Sequence, residues 1–322
     1  MADIRFDDDV DDVIEHCLTG NVICRILKNT NVQPFNFEKP PQSNYNGNFP
    51  KENSLKRKDS FRKIVQNGAW GSNHGINNFN YNSSSGLILG FSRLIFEGEG
   101  STLFWSQEIT AVLHNLIYKI KSNKTKNYVI RMLDVPCGDM VWMKRFLESR
   151  NDINYTGIDV VPELISSHKK NFKNKNWKFY VQDIVDVKSL GFYDIILCRM
   201  LLQHLYSGDI LRILQLFSDS GSSFLISTTY PSEAINEELN LQQSDNPGRY
   251  RKVNLELPPF SLIAPICICR DGPIYNRELN THYVAVWRLP LINVIDCLDG
   301  YSHFVDVGGA KILYNSCSKK YL

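Results

Sequence analysis

The sequence predicts an α/β fold, a three-layer sandwich around a mostly parallel sheet, and three observations carry that prediction. The first is VIRMLDVPCGDMVWMKRFL, residues 129–147. A β-branched and apolar run ends in an acid at Asp134, and beyond Asp139 the residues Trp142, Met143, Phe146 and Leu147 recur at helical spacing. Pro136-Cys137-Gly138 lies between the two halves. A strand that turns on a small residue directly into a helix leaves unpaired N–H groups and the positive end of a helix dipole at the carboxyl edge of a sheet. Nucleotide-like ligands bind there in open α/β folds. The second observation is INYTGIDVV, whose Asp159 follows Asp134 by 25 positions, close to the spacing at which such folds set an acid against ribose hydroxyls. The third is alternation. Strand-like runs at 128–134, 153–159, 177–182, 193–198 and 222–228 are separated mostly by helical segments, which implies right-handed crossovers and a parallel sheet covered on both faces.

Taken in order, residues 1–27 predict one short helix, with Val10, Val13, Ile14 and Cys17 at helical spacing and an Asp run that suits a solvated helix start. From Lys28 to Asn82 the chain is dense in Asn, Pro, Ser, Lys and Gly, and its first part, residues 28–60, lacks the apolar periodicity that would offset ordering entropy. That part is expected to be mobile, and removal of the first 60 residues to leave a folded core. Phe61–Trp70 reads as a short helix, and Ser101–Ile120 as a helix leading into the first strand. Beyond Tyr230 the regularity breaks into a polar, loop-rich insertion, followed by two strand-like runs at 261–269 and 282–288 that close the sheet edge.

Composition narrows the function classes. A chain of 322 residues with 43% hydrophobic content can bury one sizeable α/β core with extensions. Its net charge of +2, with no basic tract, gives no indication of a nucleic-acid partner. The cysteines are scattered, and Cys137, Cys198, Cys267 and Cys269 lie in or beside apolar runs, so reduced core thiols are expected and no bridge. The spacing of Cys267 and Cys269 is too short for a metal site. An acidic N-terminus and the lack of any apolar run of about 20 residues predict a cytoplasmic protein with no membrane partner.

The order Asp134-Val-Pro-Cys-Gly138-Asp139, Gly157-Ile-Asp159, Gln182-Asp183-Ile184 and Tyr193-Asp194-Ile-Ile-Leu-Cys198-Arg199 resembles the successive motifs of class I S-adenosylmethionine-dependent methyltransferases. The resemblance covers about Asn67 to Pro290. It implies a Rossmann-like, seven-stranded sheet with a reversed strand near the C-terminal end, and S-adenosyl-L-methionine as cofactor. It assigns Asp134, Pro136, Cys137, Gly138 and Asp139 to the methionine-binding loop, Asp159 and Val160 to the ribose site, Asp183 and Ile184 to the adenine site, and Cys198 and Arg199 to the floor facing the methyl group. The division that follows is an N-terminal extension (1–66), a methyltransferase domain (67–290) and a C-terminal tail (291–322). The domain holds a cap segment (67–120), a core (128–230), an acceptor-side insertion (231–260) and closing strands (261–290).

One departure is visible. Met140 stands where the family's first motif commonly has its third glycine, which alters the approach of that backbone to a ligand. The LILGFSRLIF run also interrupts what would otherwise be a compact Ser-Gly-x-Gly-Ser turn formed by Ser85-Gly86 and Gly100-Ser101. Asp183 has a second reading as a helix cap.

A sulfonium methyl is already activated, so the chain must mainly place an oxygen or nitrogen acceptor in line with it. The Asp/Asn-Pro-Pro-Tyr tetrapeptide of amino-directed nucleic-acid methyltransferases is absent after the fourth strand; Cys198-Arg199-Met200-Leu201 stands there. That leaves a small-molecule, glycan or protein acceptor. His204 is the candidate catalytic base, with a packed histidine as the other reading of LLQHL. Trp70, Tyr250, Arg251 and Asn254 are the candidate acceptor-binding residues, the last three on a segment that would act as a lid. Two rivals share the fold: a nicotinamide oxidoreductase, which would want G-x-G-x-x-G where this chain has Pro136-Cys137-Gly138-Asp139-Met140, and a catalytically impaired relative serving as an interaction scaffold. The sequence does not address oligomeric state.

Overall fold

The computed structural model describes residues 24–25, 51–67, 101–240, 249–263, 265–272, 282–291, 302–307 and 310–315. Its centre is a twisted sheet. The strands are β1 (Cys24–Arg25), β2 (Ile130–Asp134), β3 (Ile153–Asp159), β4 (Trp177–Val181), β5 (Ile195–Cys198), β6 (Phe224–Thr229), β7 (Cys267–Arg270) and β8 (Tyr283–Arg288). They lie in the order β1-β7-β8-β6-β5-β2-β3-β4. Strands β4, β3, β2, β5 and β6 pair in parallel, and β8 runs against both β6 and β7. Leaving aside the two-residue β1, this is the seven-stranded, mostly parallel sheet with a reversed late strand that the motif series implies. A separate antiparallel pair, β9 (Ser302–Val307) and β10 (Ala310–Asn315), follows it.

The sheet is buried on both faces because its central strands carry apolar side chains toward both. Along β2, Leu133 packs with one cluster and Met132 and Ile130 with the other; β5 divides its Ile196 and Cys198 from Ile195 and Leu197 in the same way. One face receives helix α1 (Ser54–Asn67), helix α5 (Ser207–Asp219) and Val253, Leu255, Phe260 and Leu262 of the insertion. The other receives helix α2 (Gln107–Ser122), through Ile109, Val112, Leu113, Ile117 and Ile120, and helix α3 (Val141–Glu148) through the expected Trp142, Met143, Phe146 and Leu147. Helix α4 (Pro162–Asn171) crosses from β3 to β4.

Several expectations are corrected. Cys24 and Arg25 are strand, paired antiparallel with β7, rather than helix; the rest of residues 1–27 lies outside the described residues. Cys269 is disulfide-bonded, whereas Cys137, Cys198 and Cys267 are reduced thiols. The β1–β7 register sets Cys24 opposite Cys269, a neighbourhood that spacing along the chain cannot reveal. Helix α1 begins seven residues before Phe61, where Asn53 Oδ1 accepts from the Leu55 N–H at 2.9 Å in the manner of an N-cap. Its Arg57, Phe61, Ile64 and Val65 are buried, so Arg57, from the segment expected to be mobile, belongs to the core with the expected helix that follows. The insertion, too, is well packed where described: Arg251 N–H reaches the Gln203 carbonyl and Tyr230 N–H the Val253 carbonyl, at 3.0 and 2.9 Å.

Candidate active site

Register fixes where the acids end up. Asp134 pairs with Gly157 and Asp159 with Val181, so both carboxylates stand at the carboxyl ends of adjacent parallel strands. The loop after β2 is tied on both sides. Val135 N–H donates to Leu197 O and Cys137 N–H to Ile158 O, each at 2.9 Å. Gly138 turns with φ 53°, its N–H donating to Asp159 Oδ2 at 3.2 Å and its carbonyl accepting from His168 Nε2 of α4 at 2.6 Å. Gly157 permits this closeness: a Cβ there would come within 3.0 Å of Cys137, Phe179 and Tyr155 side-chain atoms.

Met140 keeps the glycine-like backbone of the position it fills, with φ 63°, and begins α3. Its side chain is buried in the apolar cluster on the α2–α3 face, where its sulfur lies 3.1 Å from the Tyr155 hydroxyl. Met140 is not among the residues lining the cavity. The substitution therefore changes the packing behind the loop and leaves the ligand face of the loop to Gly138.

That cavity, of about 280 Å³, is bordered by Asp134, Pro136, Cys137, Gly138, Asp139, Asp159, Val160, Asp183, Ile184 and Arg199, ten of the eleven residues expected to hold cofactor. Cys198 lies beneath it: the side chain is fully buried, its thiol pushed well up by that burial, and its carbonyl accepts from Ser227 Oγ at 3.0 Å. Burial raises the Asp134 carboxyl to about 7, against the lowering effect of the Tyr155 hydroxyl that donates to Oδ2 at 2.7 Å. Burial likewise raises Asp159 to about 6, against backbone N–H donors that include Val161 at 2.9 Å. In both, desolvation is the largest cause and opposes ionisation of the carboxyl.

Two other members are engaged by protein. Asp183 caps the 3₁₀ turn Ile184–Asp186 by accepting from Val185 N–H at 3.1 Å, and its second oxygen accepts from Arg57 Nε at 2.8 Å. The helix-cap reading of Asp183 is thus present alongside its place in the cavity wall. Arg199 grips Asp271 with Nε at 2.8 Å and Nη2 at 3.0 Å, and lies over the Trp142 ring.

The cavity is also lined by Phe61 and Val65 of α1, by Leu201, His204 and Leu205, and by Tyr250. His204 ends a 3₁₀ turn, Leu202–His204, and is buried; its Nδ1 lies 2.9 Å from the Arg249 carbonyl, and the Phe61 and Tyr250 rings flank it. The Tyr250 hydroxyl donates to that of Tyr230 at 2.9 Å. Arg251 and Asn254 do not line the cavity. The Arg251 guanidinium serves the carbonyls of Leu205 and Glu237 and the Ser207 hydroxyl, and the Asn254 side chain donates to Glu233 O and accepts from Glu256 N–H. Both brace the insertion instead. Trp70, Ser85-Gly86 and the interrupting run between them and Gly100 lie outside the described residues. Among the described residues no group of three His, Cys, Asp or Glu side chains could hold a metal ion, and no helix is long and apolar enough to cross a membrane.

Sequence reasoning missed Arg57, Tyr155, His168 and Trp142. The first three act through partners remote in sequence; Trp142 carried only a helix-periodicity signal, although it faces both core and cavity.

Residues 132–220 match the family described as "Methyltransferase domain". No curated protein matches the chain. Among solved structures, the chain is similar to the 1,6-didemethyltoxoflavin-N1-methyltransferase of Burkholderia thailandensis, bound to 1,6-didemethyltoxoflavin and S-adenosylhomocysteine: 13% identity over 75% of this chain and 92% of that one, TM-score 0.47. It is also similar to the magnesium protoporphyrin IX methyltransferase of Synechocystis PCC 6803 with bound SAM, at 12% identity over 75% and 99% of the two chains and TM-score 0.43. A third is the N-methyltransferase NodS of Bradyrhizobium japonicum WM9 with S-adenosyl-l-homocysteine, at 12% identity over 58% and 88%, TM-score 0.41.

Proposed function

We propose that this protein, whose residues 132–220 match a methyltransferase-domain family, binds S-adenosyl-L-methionine in the cavity at the strand ends and transfers its methyl group to an oxygen or nitrogen acceptor. The observation that carries this reading is the convergence of Asp134, Gly138 and Asp159 on one cavity that His204 and Tyr250 also line. The residues fit the cofactor. Gly138 offers a backbone without a side chain, and the two buried carboxyls, raised by desolvation, gain a counter-charge from a ligand bearing an ammonium and a sulfonium.

When bound, the cofactor supplies an activated methyl on a positively charged sulfur. The chain's share is placement: Asp159 accepts from the ribose diol, Asp134 faces the ammonium end, and the apolar wall of Phe61, Leu201 and Leu205 excludes water from the reacting centre. Acceptors of small-molecule, glycan or protein type are compatible with the reading. Titration calorimetry with S-adenosylhomocysteine tests it directly: micromolar-range binding is the expected result, and no heat from a folded protein overturns it. Incubation with methyl-labelled cofactor and fractionated cell extract then sorts the acceptor by pool.

A scaffold reading draws on a specific observation as well. Asp183 and Arg199 are both ion-paired within the protein, so neither stands open to a ligand without rearrangement. Under that reading the same calorimetry gives no binding while the fold stays intact.

A further inference from the structure

We infer that Glu52 and Arg249 are positioning residues that hold His204 as an Nε2 base, and that the acceptor is accordingly a hydroxyl. This rests on the methyltransferase reading above. A backbone carbonyl can only accept a hydrogen bond, so the 2.9 Å contact between His204 Nδ1 and the Arg249 carbonyl requires the proton on Nδ1. In the neutral ring the lone pair then belongs to Nε2. The ring lines the cavity, 5% exposed, between Phe61 and Tyr250.

The carbonyl that sets this tautomer sits on an unusual backbone. Arg249 has φ 51°, a left-handed conformation disfavoured for a residue with a Cβ, so something must fix it. Its guanidinium does: Nη1 donates to Glu52 Oε1 at 3.0 Å and Nη2 to Oε2, a two-pronged pair in which the side chains are 6% and 2% exposed. The guanidinium also lies over the Phe61 ring, 5.4 Å from its centroid. Glu52 is fixed in turn, its N–H donating to Asp209 Oδ2 at 3.1 Å, an oxygen that Arg57 also reaches at 3.1 Å. The segment leading into α1 thereby determines the orientation of the carbonyl that His204 meets.

The chemistry is balanced without any further reactant. As the acceptor oxygen forms its bond to the methyl carbon, the carbon–sulfur bond breaks with its electron pair left on sulfur, and the hydroxyl proton passes to His204 Nε2. A nitrogen acceptor that already carries a lone pair needs no such base, whereas a hydroxyl does, which is why a histidine held in this one tautomer points to an alcohol or phenol.

The test reads the tautomer itself. In full-length protein labelled with ¹⁵N in its imidazoles, long-range ¹H–¹⁵N spectra, with His204→Gln for assignment, should show His204 as a single Nδ1-protonated ring. Glu52→Gln keeps the shape and the Glu52 N–H while removing the charge, and should convert the signal to a mixture of tautomers. Arg249→Lys, which retains charge but not the fork, should do the same and serves if the first variant folds poorly. S-adenosylhomocysteine affinity, measured in parallel, should be unchanged in both. A His204 signal indifferent to both substitutions, with cofactor binding intact, overturns the positioning role; failure of the unaltered protein to bind S-adenosylhomocysteine overturns the reading beneath it and with it the assignment of a hydroxyl acceptor.

Discussion

Arg57 Nε lies 2.8 Å from Asp183 Oδ2, and both side chains are almost wholly removed from water, at 2% and 4% exposure. Asp209 contributes a second buried carboxylate at 3.1 Å. Taking one partner out of such a cluster leaves uncompensated charge, which costs about 3–5 kcal/mol. Arg57→Met should therefore lower stability by that order in denaturant unfolding. Removal of the first 60 residues, which takes away Arg57 and Glu52 together, should melt cooperatively at a much lower temperature or fail to fold. An unchanged melting temperature would show that α1 is dispensable.

Asp159 accepts from Gly138 and Val161 N–H groups, and a ribose diol would add donors to the same carboxylate. Asp159→Ala should weaken S-adenosylhomocysteine binding by roughly 1.5–3 kcal/mol, the range for hydrogen bonds to a charged group. Calorimetry against the unaltered protein, with circular dichroism to confirm the fold, decides it. An identical dissociation constant removes Asp159 from the ribose site.

Asp134 links stability to pH. An acid whose folded pKa exceeds its unfolded value holds more protons in the folded state between the two, so stability falls as pH rises through that window. For Asp134 the window runs from 3.8 to about 7, and for Asp159 from 3.8 to about 6. The Asp134 contribution is on the order of 4 kcal/mol, present below the window and lost above it. Melting temperature should therefore decline across this range, and Asp134→Asn should flatten the decline. A cationic ligand acts in the opposite sense by drawing the carboxyls into their ionised form, so binding near neutral pH should release protons, seen as a buffer-dependent calorimetric heat. Binding without proton exchange would contradict the assignment of charge to this end of the cavity.

His204→Gln distinguishes catalysis from packing. With a hydroxyl acceptor, turnover should fall by about 10² to 10⁴ and the acidic limb of the pH–rate profile should disappear, while cofactor affinity holds. A fall in melting temperature with the profile unaltered would return His204 to a packing role.

Met140→Gly relieves a left-handed backbone worth about 1–2 kcal/mol but empties a buried site, where large-to-small changes cost about 2–5 kcal/mol. The net expectation is a less stable protein with cofactor affinity retained, because the side chain faces Tyr155 and not the cavity. A marked change in affinity would show that the loop backbone moves with it.

The strands were legible because burial on both faces writes itself as local apolar runs. Residues 153–159 fall on β3 end for end, and the other runs along the parallel core miss by one or two residues. The acids at their ends were legible for the same reason, since each terminates such a run. What escaped was anything held by partners far apart: Arg57 looks like one more lysine-flanked surface residue until folding sets it against a carboxylate 126 positions away. The same holds for Arg249 and Glu52, 197 positions apart. Arg251 and Asn254 were misleading in the opposite direction, because a polar loop residue near a site carries no local mark of whether it faces ligand or braces its own loop.

The cavity is lined mainly from three separate stretches of sequence: α1, the run from β2 through Leu205, and the insertion after β6. One set of lining residues runs from Asp134 to Arg199, and a second comes from Arg57, Phe61 and Val65, from Met200, Leu201, His204 and Leu205, and from Tyr250. Under the proposed function, substrate preference and donor chemistry are therefore written largely in different stretches of the chain. Redesign for a new acceptor would edit the second set and leave every carboxylate of the first untouched.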